Sequence, residues 1–377
     1  MKVAQQHCSK KATCSVIAMN NKIPNKLLVQ LCSCLFCILS VAQETQVKQP
    51  GEGLKLDTVL MNSAITQIQN QKSKLHSMLL IHNDELLVEA YFNDHQATEK
   101  HDLRSATKSI ISLLIGIAID KGIIKSVQDP IHFYLKNSRS TKNETPEKND
   151  ITIAHLLTMS AGLDCNDWDT SSKGQEDKVY RKKDWIQYTL NLPMVAPPGT
   201  KSAYCSMGVV LLAEILQKAS GMRLQDFAKK YLFNAMDIKN LSWGHTSSSP
   251  VIDAGKRLYM TSRDLAKIGQ LILHQGNWNG KQLVSKEWIQ QATSKQTTLG
   301  GLDYGYLWWN IPFKVNGKTI PAITATGNGG QYIMVFPELN FTAVFTGGAY
   351  NSEKDKAPFY IINNVVLPSL LQGNSIN

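Results

Sequence analysis

The stretch that most constrains this chain runs from residue 104 to 120, Arg-Ser-Ala-Thr-Lys-Ser followed by Ile-Ile-Ser-Leu-Leu-Ile-Gly-Ile-Ala-Ile-Asp. The apolar residues Ile110, Ile111, Leu113, Leu114, Ile117 and Ala118 wrap nearly all round a helix, so this segment belongs inside a sizeable core rather than on a surface. Gly122 stops it. Positions three apart share a helix face, which makes Ser105 and Lys108 neighbours at its N-terminal end. Unpaired backbone N–H groups and the helix dipole favour developing negative charge there, as an attacking alkoxide or a tetrahedral oxyanion needs. A serine and a lysine at this spacing are candidates for a nucleophile and its base, although Ser-x-x-Lys also arises by chance and needs support from the rest of the chain.

A length of 377 residues provides one large domain or two interleaved ones around a substantial core. The formal charge is +10, but the first 42 residues hold five Lys or Arg and no Asp or Glu, leaving 35 basic against 30 acidic residues beyond them. That mild surplus is spread along the chain, and no nucleic-acid partner is expected.

Residues 27 to 42 form an apolar run preceded by Lys22 and Lys26 and ending in Ser40-Val41-Ala42. The run is short for a membrane span of about 20 residues and suits a secretory signal peptide, with Met19 as the start that gives a conventional leading region. A buried or membrane-anchoring helix is the alternative. Lipid attachment at Cys37 is disfavoured by the bulk of Phe36. We therefore expect residues 1–42 to be a signal peptide, the protein to be exported to a periplasm or secreted, and no stable membrane span to remain after cleavage. Five of seven cysteines fall in the leader, so the exported protein keeps Cys165 and Cys205. An oxidising compartment can bridge them, or they can stand as two separately buried thiols.

Residues 43–53, with Pro50, Gly51 and Gly53, read as a mobile linker. The pattern then predicts a helix near 55–72 and two strands, Ser77 to Ile81 and Leu86 to Phe92, around the turn His82-Asn83-Asp84-Glu85. His82, His95 and His101 fall in polar surroundings and are expected to be solvated. After the apolar helix, residues 137 to 150 read as an exposed loop. A helix is expected at 151–159, and residues 165 to 183 as a surface loop able to overhang a cleft. Helices are expected at 184–191, 206–219, 224–233, 262–274 (capped by Ser262), 285–294 and 357–371. From Tyr304 the period changes, and Tyr306 to Ile311, Lys314 to Val315, Lys318 to Thr326, Gln331 to Phe336 and Phe341 to Thr346 read as strands, with Asn316-Gly317 as one of the turns. Strands early and late with helices between predict an α+β fold, a mixed α/β architecture. In it the N- and C-terminal segments complete one antiparallel sheet flanked by helices, around an inserted, mostly helical lobe.

Three positions gather around Ser105: Lys108, the Tyr204-Cys205-Ser206 triplet, and Thr326-Gly327-Asn328-Gly329-Gly330-Gln331 at the head of a strand. Together with Ile153-Ala154-His155-Leu156-Leu157-Thr158-Met159-Ser160-Ala161-Gly162-Leu163, Pro197-Pro198-Gly199-Thr200, Met260-Thr261-Ser262-Arg263-Asp264-Leu265-Ala266 and Tyr304-Gly305-Tyr306-Leu307-Trp308-Trp309, their order and spacing resemble the penicillin-recognising serine hydrolases. That family holds class C β-lactamases, D,D-peptidases and their esterase and amidase relatives. The resemblance spans essentially the whole exported chain and implies a β-lactamase/transpeptidase-like domain over 54–374, its helical lobe at roughly 125–300.

The resemblance implies that Ser105 attacks a carbonyl to form an acyl-enzyme, with Lys108 and Tyr204 sharing removal of its proton. A free phenol, with pKa about 10, is only ~0.1% ionised at neutral pH, so Tyr204 needs the Lys108 charge to act as base. Alternatively, a desolvated Lys108 is the neutral base and Tyr204 relays the proton. The N–H groups of Ser105 and Gln331 would form the oxyanion hole, and Ser206, Asn328, Gly329, Gly330 and Trp168 would contact substrate, with Trp308 or Trp309 beside Trp168 in an acyl pocket or else in the core. A Cys165–Cys205 bridge would pin Tyr204.

Two departures bear on substrate. Ser206 stands where the family usually has Asn, and Asn328 where β-lactamases and peptidases carry a cation or histidine for a substrate carboxylate. Both weaken β-lactam recognition, so the expectation is an esterase or amidase acting as a monomer on a small-molecule or peptide-like substrate, without cofactor or metal. The rivals are a true β-lactamase or D,D-peptidase and a non-catalytic wall-binding module. An α/β-hydrolase is disfavoured because neither Ser160 nor Ser206 has the first glycine of a nucleophile elbow. A metal hydrolase is disfavoured because no His-Glu-x-x-His or Cys-x-x-Cys pair lies outside the leader.

Overall fold

Nine antiparallel strands make the main sheet: β1 (Gln46–Val47), β2 (Leu75–His82), β3 (Glu85–Tyr91), β4 (Thr297–Leu299), β5 (Leu302–Tyr304), β6 (Trp309–Val315), β7 (Lys318–Gly327), β8 (Gln331–Phe336) and β9 (Phe341–Gly347). Their spatial order is β1-β3-β2-β9-β8-β7-β6-β5-β4, so β2 from the N-terminal part pairs with β9 from the C-terminal part. The computed structural model describes residues 46–47, 58–70, 73–136, 142–244 and 257–373. The expected signal peptide lies outside the described residues. Of the expected 43–53 linker only Gln46 and Val47 are described, and they pair with Glu89 and Val88 as an edge strand rather than standing apart.

Two-residue periodicity divides the strands between two cores. Met78 and Leu80 of β2, Met334 and Phe336 of β8, and Ala343 and Phe345 of β9 face Met61 and Ile65 of the first helix and Ile362 and Val366 of the last. Leu79, Ile81, Ile333, Val335 and Val344 face the helical lobe. Because both faces are covered, β8 and β9 are buried at every position, and their residues read as continuous apolar runs. The predicted hairpin forms between β2 and β3, with Asn83 at φ 48° and Asp84 at φ 65°, the left-handed pair that a two-residue turn of this twist needs.

The apolar segment enters the lobe as a short 3-10 turn, Arg104–Ala106, followed by the helix Thr107–Asp120, whose residues from Thr107 to Ala118 are all buried. Each large side chain such as Ile110 or Leu114 contributes about 1.5–3 kcal/mol by leaving water. A Cβ at Gly116 would stand 2.3 Å from Cδ1 of Trp288, so the missing side chain lets helix Lys286–Thr293 pack directly on this one.

Several expectations are corrected. Tyr306 to Trp308 are not strand: Leu307 adopts φ 64°. Here the backbone bonds across the fold, Tyr306 N donating to Ala292 O, Leu307 N to Leu157 O, and the Ser109 hydroxyl to Leu307 O. These bonds pin the lobe to the helix Thr107–Asp120 and outweigh the strand preference of an aromatic run. Helix Ser262–Leu273 is capped by Thr261, whose extended backbone lets its hydroxyl accept from Asp264 N, and not by Ser262. A second small sheet, of His101–Asp102, Leu241–Gly244 and Arg257–Met260, has no counterpart among the predicted strands.

Gly116→Val should lower the unfolding free energy by about 1–3 kcal/mol, because the added branch meets the Trp288 ring with no room to turn. Equilibrium urea unfolding checks this, and an unchanged midpoint would contradict the packing.

Candidate active site

Ser105 sits in the 3-10 turn, one residue after Arg104, whose φ of 49° places a non-glycine side chain in the left-handed region. Such a conformation costs of order 1–3 kcal/mol and persists only where neighbours hold it. Here Asp102 does so, accepting from Arg104 N at 3.0 Å and pairing with its Nε at 3.1 Å, while Arg257 braces the same carboxylate at 3.3 Å. The small sheet thus supplies the anchor from which the serine is presented.

One helical turn later, Lys108 is 4% exposed, and its Nζ lies 2.9 Å from the Ser105 hydroxyl oxygen. The same Nζ stands 4.9 Å from the centre of the Tyr204 ring, bringing a phenol from the middle of the chain beside both groups. Burial holds the Lys108 ammonium below the ordinary lysine value, and the charges of Glu176 and Asp167 offset part of that effect.

The 165–183 loop builds the other wall. Asp167 donates its N–H to Tyr204 O at 2.7 Å, and its carboxylate accepts from Ser206 N at 2.8 Å and Glu176 N at 3.1 Å. On the same two segments, the Cys165 and Cys205 sulfurs are 2.04 Å apart, with 5.3 Å between the α-carbons. Trp168 lies parallel to Tyr204, ring centres 5.0 Å apart and planes within 1°, and Trp309 lies against both, 6.1 Å from Tyr204 and 6.4 Å from Trp168.

Ser105, Tyr204, Trp168 and Asn328 line one cleft of about 580 Å³. The cleft also draws on residues that the sequence reading missed: Leu302, Ile311, Tyr332, Phe359 and the Asp355–Lys356 pair. Several were legible only as strand or helix positions, because nothing in their local pattern marks a cleft. Asn328 is held by Asn351, donating to its side-chain oxygen at 2.7 Å and accepting from its backbone N–H at 2.9 Å.

Other expected contacts fall outside this lining. Ser206 is 1% exposed on the first turn of its helix. Gly329 and Gly330 form the turn before β8 at φ 96° and 99°. Gln331 is buried, and its side-chain amide donates to Gly347 O and accepts from Gly347 N. Of the two candidate pocket tryptophans, Trp309 lines the cleft and Trp308 is fully buried in the core.

The histidines expected in solvent need correction. His101 is 5% exposed, and with His95 and the overlooked His76 it forms a cluster of three rings. Burial first, then the neighbouring His95, brings both His76 and His101 down to about 4, so both are neutral at neutral pH.

Residues 65–363 match the family described as Beta-lactamase. Among curated proteins, an uncharacterised protein of Alkalihalophilus pseudofirmus is 24% identical over 73% of this chain and 84% of its own length. The 6-aminohexanoate-dimer hydrolase of Paenarthrobacter ureafaciens is 22% identical over 76% of this chain and 77% of its own. Among solved structures, a proposed 6-aminohexanoate-dimer hydrolase from Bacillus anthracis superposes with a TM-score of 0.66 at 19% identity, covering 81% of each chain.

Lys108→Met should raise the thermal midpoint at neutral pH. A base whose folded value is depressed costs stability while it is charged in both states, and that cost fades as pH climbs from the folded value towards the ordinary 10.5. The gap between variant and parent should therefore narrow as pH rises towards the ordinary lysine value. Thermal unfolding across that range checks it, and a gap that widens with pH would reverse the sign argued here.

Proposed function

The chain belongs to the β-lactamase family and is a hydrolase, and from that premise we propose that it cleaves a small amide or ester through an acyl-enzyme on Ser105. The observation that carries this reading is the 2.9 Å approach of Lys108 Nζ to Ser105 Oγ in a site where burial disfavours the charged amine. A neutral Lys108 takes the hydroxyl proton as Ser105 Oγ bonds to the carbonyl carbon. The tetrahedral oxyanion is received by the N–H groups of Ser105 and Gln331, each such donor being worth about 3 kcal/mol. As the bond to the leaving nitrogen or oxygen breaks, Lys108 returns the proton through Tyr204. Water then attacks the acyl carbon with the same groups acting as base, releasing the acid and restoring Ser105.

The aromatic faces of Trp168, Tyr204 and Trp309 with Leu302, Ile311 and Phe359 suit an apolar acyl chain. The similarity to a 6-aminohexanoate-dimer hydrolase supports a linear amide. Asn328 in place of a cation or histidine argues for such a substrate over a β-lactam. The spacing of the Cys165 and Cys205 sulfurs supports a bridge that holds Tyr204 in place, and with it export after cleavage of residues 1–42. Among the described residues no helix is long and apolar enough to cross a membrane.

A screen over p-nitrophenyl esters, D-amino acid amides, linear amide oligomers and a chromogenic cephalosporin should find turnover on esters or amides ahead of the cephalosporin. Ser105→Ala should reduce it by roughly 10⁴-fold or more, and Tyr204→Phe by about 10²–10⁴-fold. Fluorophosphonate should label the parent and not Ser105→Ala. Absence of both turnover and labelling would favour a non-catalytic binding module, and preferred cephalosporin cleavage a true β-lactamase. In denatured, unreduced exported protein, alkylation should find no free thiol and mass spectrometry a chain starting near residue 43. Two reactive thiols would remove the bridge.

A further inference from the structure

His76 lies on β2, His95 on the turn after β3, and His101 on the two-residue strand that leads into Arg104 and Ser105. One ligating nitrogen or oxygen from each falls within 4.8 Å of the others, the one such group among the described residues. None of the three lines the catalytic cleft. We infer that His76, His95 and His101 form a binding site for a divalent transition-metal ion of the zinc class, separate from the hydrolytic centre.

Distance is the first argument. Tetrahedral zinc with Zn–N bonds of about 2.0–2.1 Å sets its ligand nitrogens about 3.3–3.4 Å apart. Nδ1 of His76 and Nδ1 of His101 are 3.3 Å apart. The third ring is oriented from outside: His95 Nδ1 is bonded to Glu99 Oε2 at 2.5 Å, which leaves Nε2 as the nitrogen free to ligate. A carboxylate behind a histidine is the usual support for a metal ligand, fixing the tautomer and raising the basicity of the other nitrogen.

The second argument is convergence: β2, the turn after β3 and the strand before Arg104 each bring one imidazole to the same place, and a hydrogen bond between His76 and His101 would account for only two of the three. The His76 and His95 rings stack with centres 3.6 Å apart and planes 29° from parallel. For both lone pairs to reach one ion, His95, whose side chain is 28% exposed on its turn, must swing off the stack.

Three imidazoles leave a position for water, and soft or borderline ions that favour nitrogen (zinc, cobalt, nickel, copper) fit this set better than magnesium or calcium. An ion held there would tie β2 and the turn after β3 to the strand that delivers the nucleophile.

The test uses the untagged full chain stripped with chelator, titrated with zinc chloride in competition with a chromogenic chelator and, separately, with cobalt chloride followed by visible absorption. One equivalent of either ion should bind in a manner that depends on His95, with cobalt giving bands of tetrahedral intensity. His95→Ala should lose that equivalent, and Glu99→Gln should weaken it by about 10–100-fold while keeping the stoichiometry. Unfolding of each metal-free variant near the parent's temperature shows that the fold is kept, and Glu99→Gln carries the test if His95→Ala fails to fold. Equal stoichiometry and affinity in the parent and both variants, or no binding at all, would overturn the site. Because the readout is metal binding, it is independent of whether Ser105 is a nucleophile.

Discussion

Burying an amine where apolar side chains should be is the constraint on which the rest of this structure depends. Lys108 stands at the head of a helix whose next ten residues, Ser109 to Ala118, are all buried. Removing an ammonium from water costs several kcal/mol unless other groups replace the solvent. What replaces it is the Ser105 oxygen one turn back and, from far away in sequence, the face of Tyr204 and the fields of Asp167 and Glu176. Each partly offsets the desolvation without forming a close carboxylate pair that would fix the charge. The balance leaves the amine below the ordinary lysine value, with burial the larger effect.

The groups around that amine are tied in place from two sides. From below, the small sheet holds Arg104 at two points through Asp102, whose carboxylate is itself braced by Arg257. From above, the 165–183 loop is stitched to the Tyr204 segment by the Asp167 carboxylate and backbone and by the adjoining Cys165 and Cys205 sulfurs. Loops are ordinarily the least stable parts of a domain. This one is tied down at the residue that touches Lys108.

Local signals carried the parts of the fold that local physics decides. The apolar run at 110–118 and the Asn83-Asp84 and Asn316-Gly317 turns each state their own conformation. Ser105 and Lys108 were legible as a pair because they lie three residues apart. Asp167 and Glu176 were not, since they sit in an aperiodic polar loop and acquire meaning only when folding sets them near Lys108. Ser206 is expected from its place in the motif to contact substrate, and it lies at the start of a buried helix with its hydroxyl shielded from solvent. His101 read as a solvated residue because its neighbours in sequence are polar, whereas its neighbours in space are two other imidazoles.

The make-up of the cleft bears on how it can discriminate. Trp168, Tyr204 and Trp309 present broad aromatic faces, and contacts of that kind separate ligands by only about 1–3 kcal/mol per methylene. Sharper selection has to come from polar atoms, and two of the polar side chains lining this cleft already have partners: Asn328 is bonded to Asn351, and Lys356 is 3.2 Å from Asp355. A ligand group that reaches them must share or displace a bond rather than satisfy an empty one, which gains little. For the apolar acyl chain proposed above, that arrangement favours tolerance along the chain with weak selection at its end.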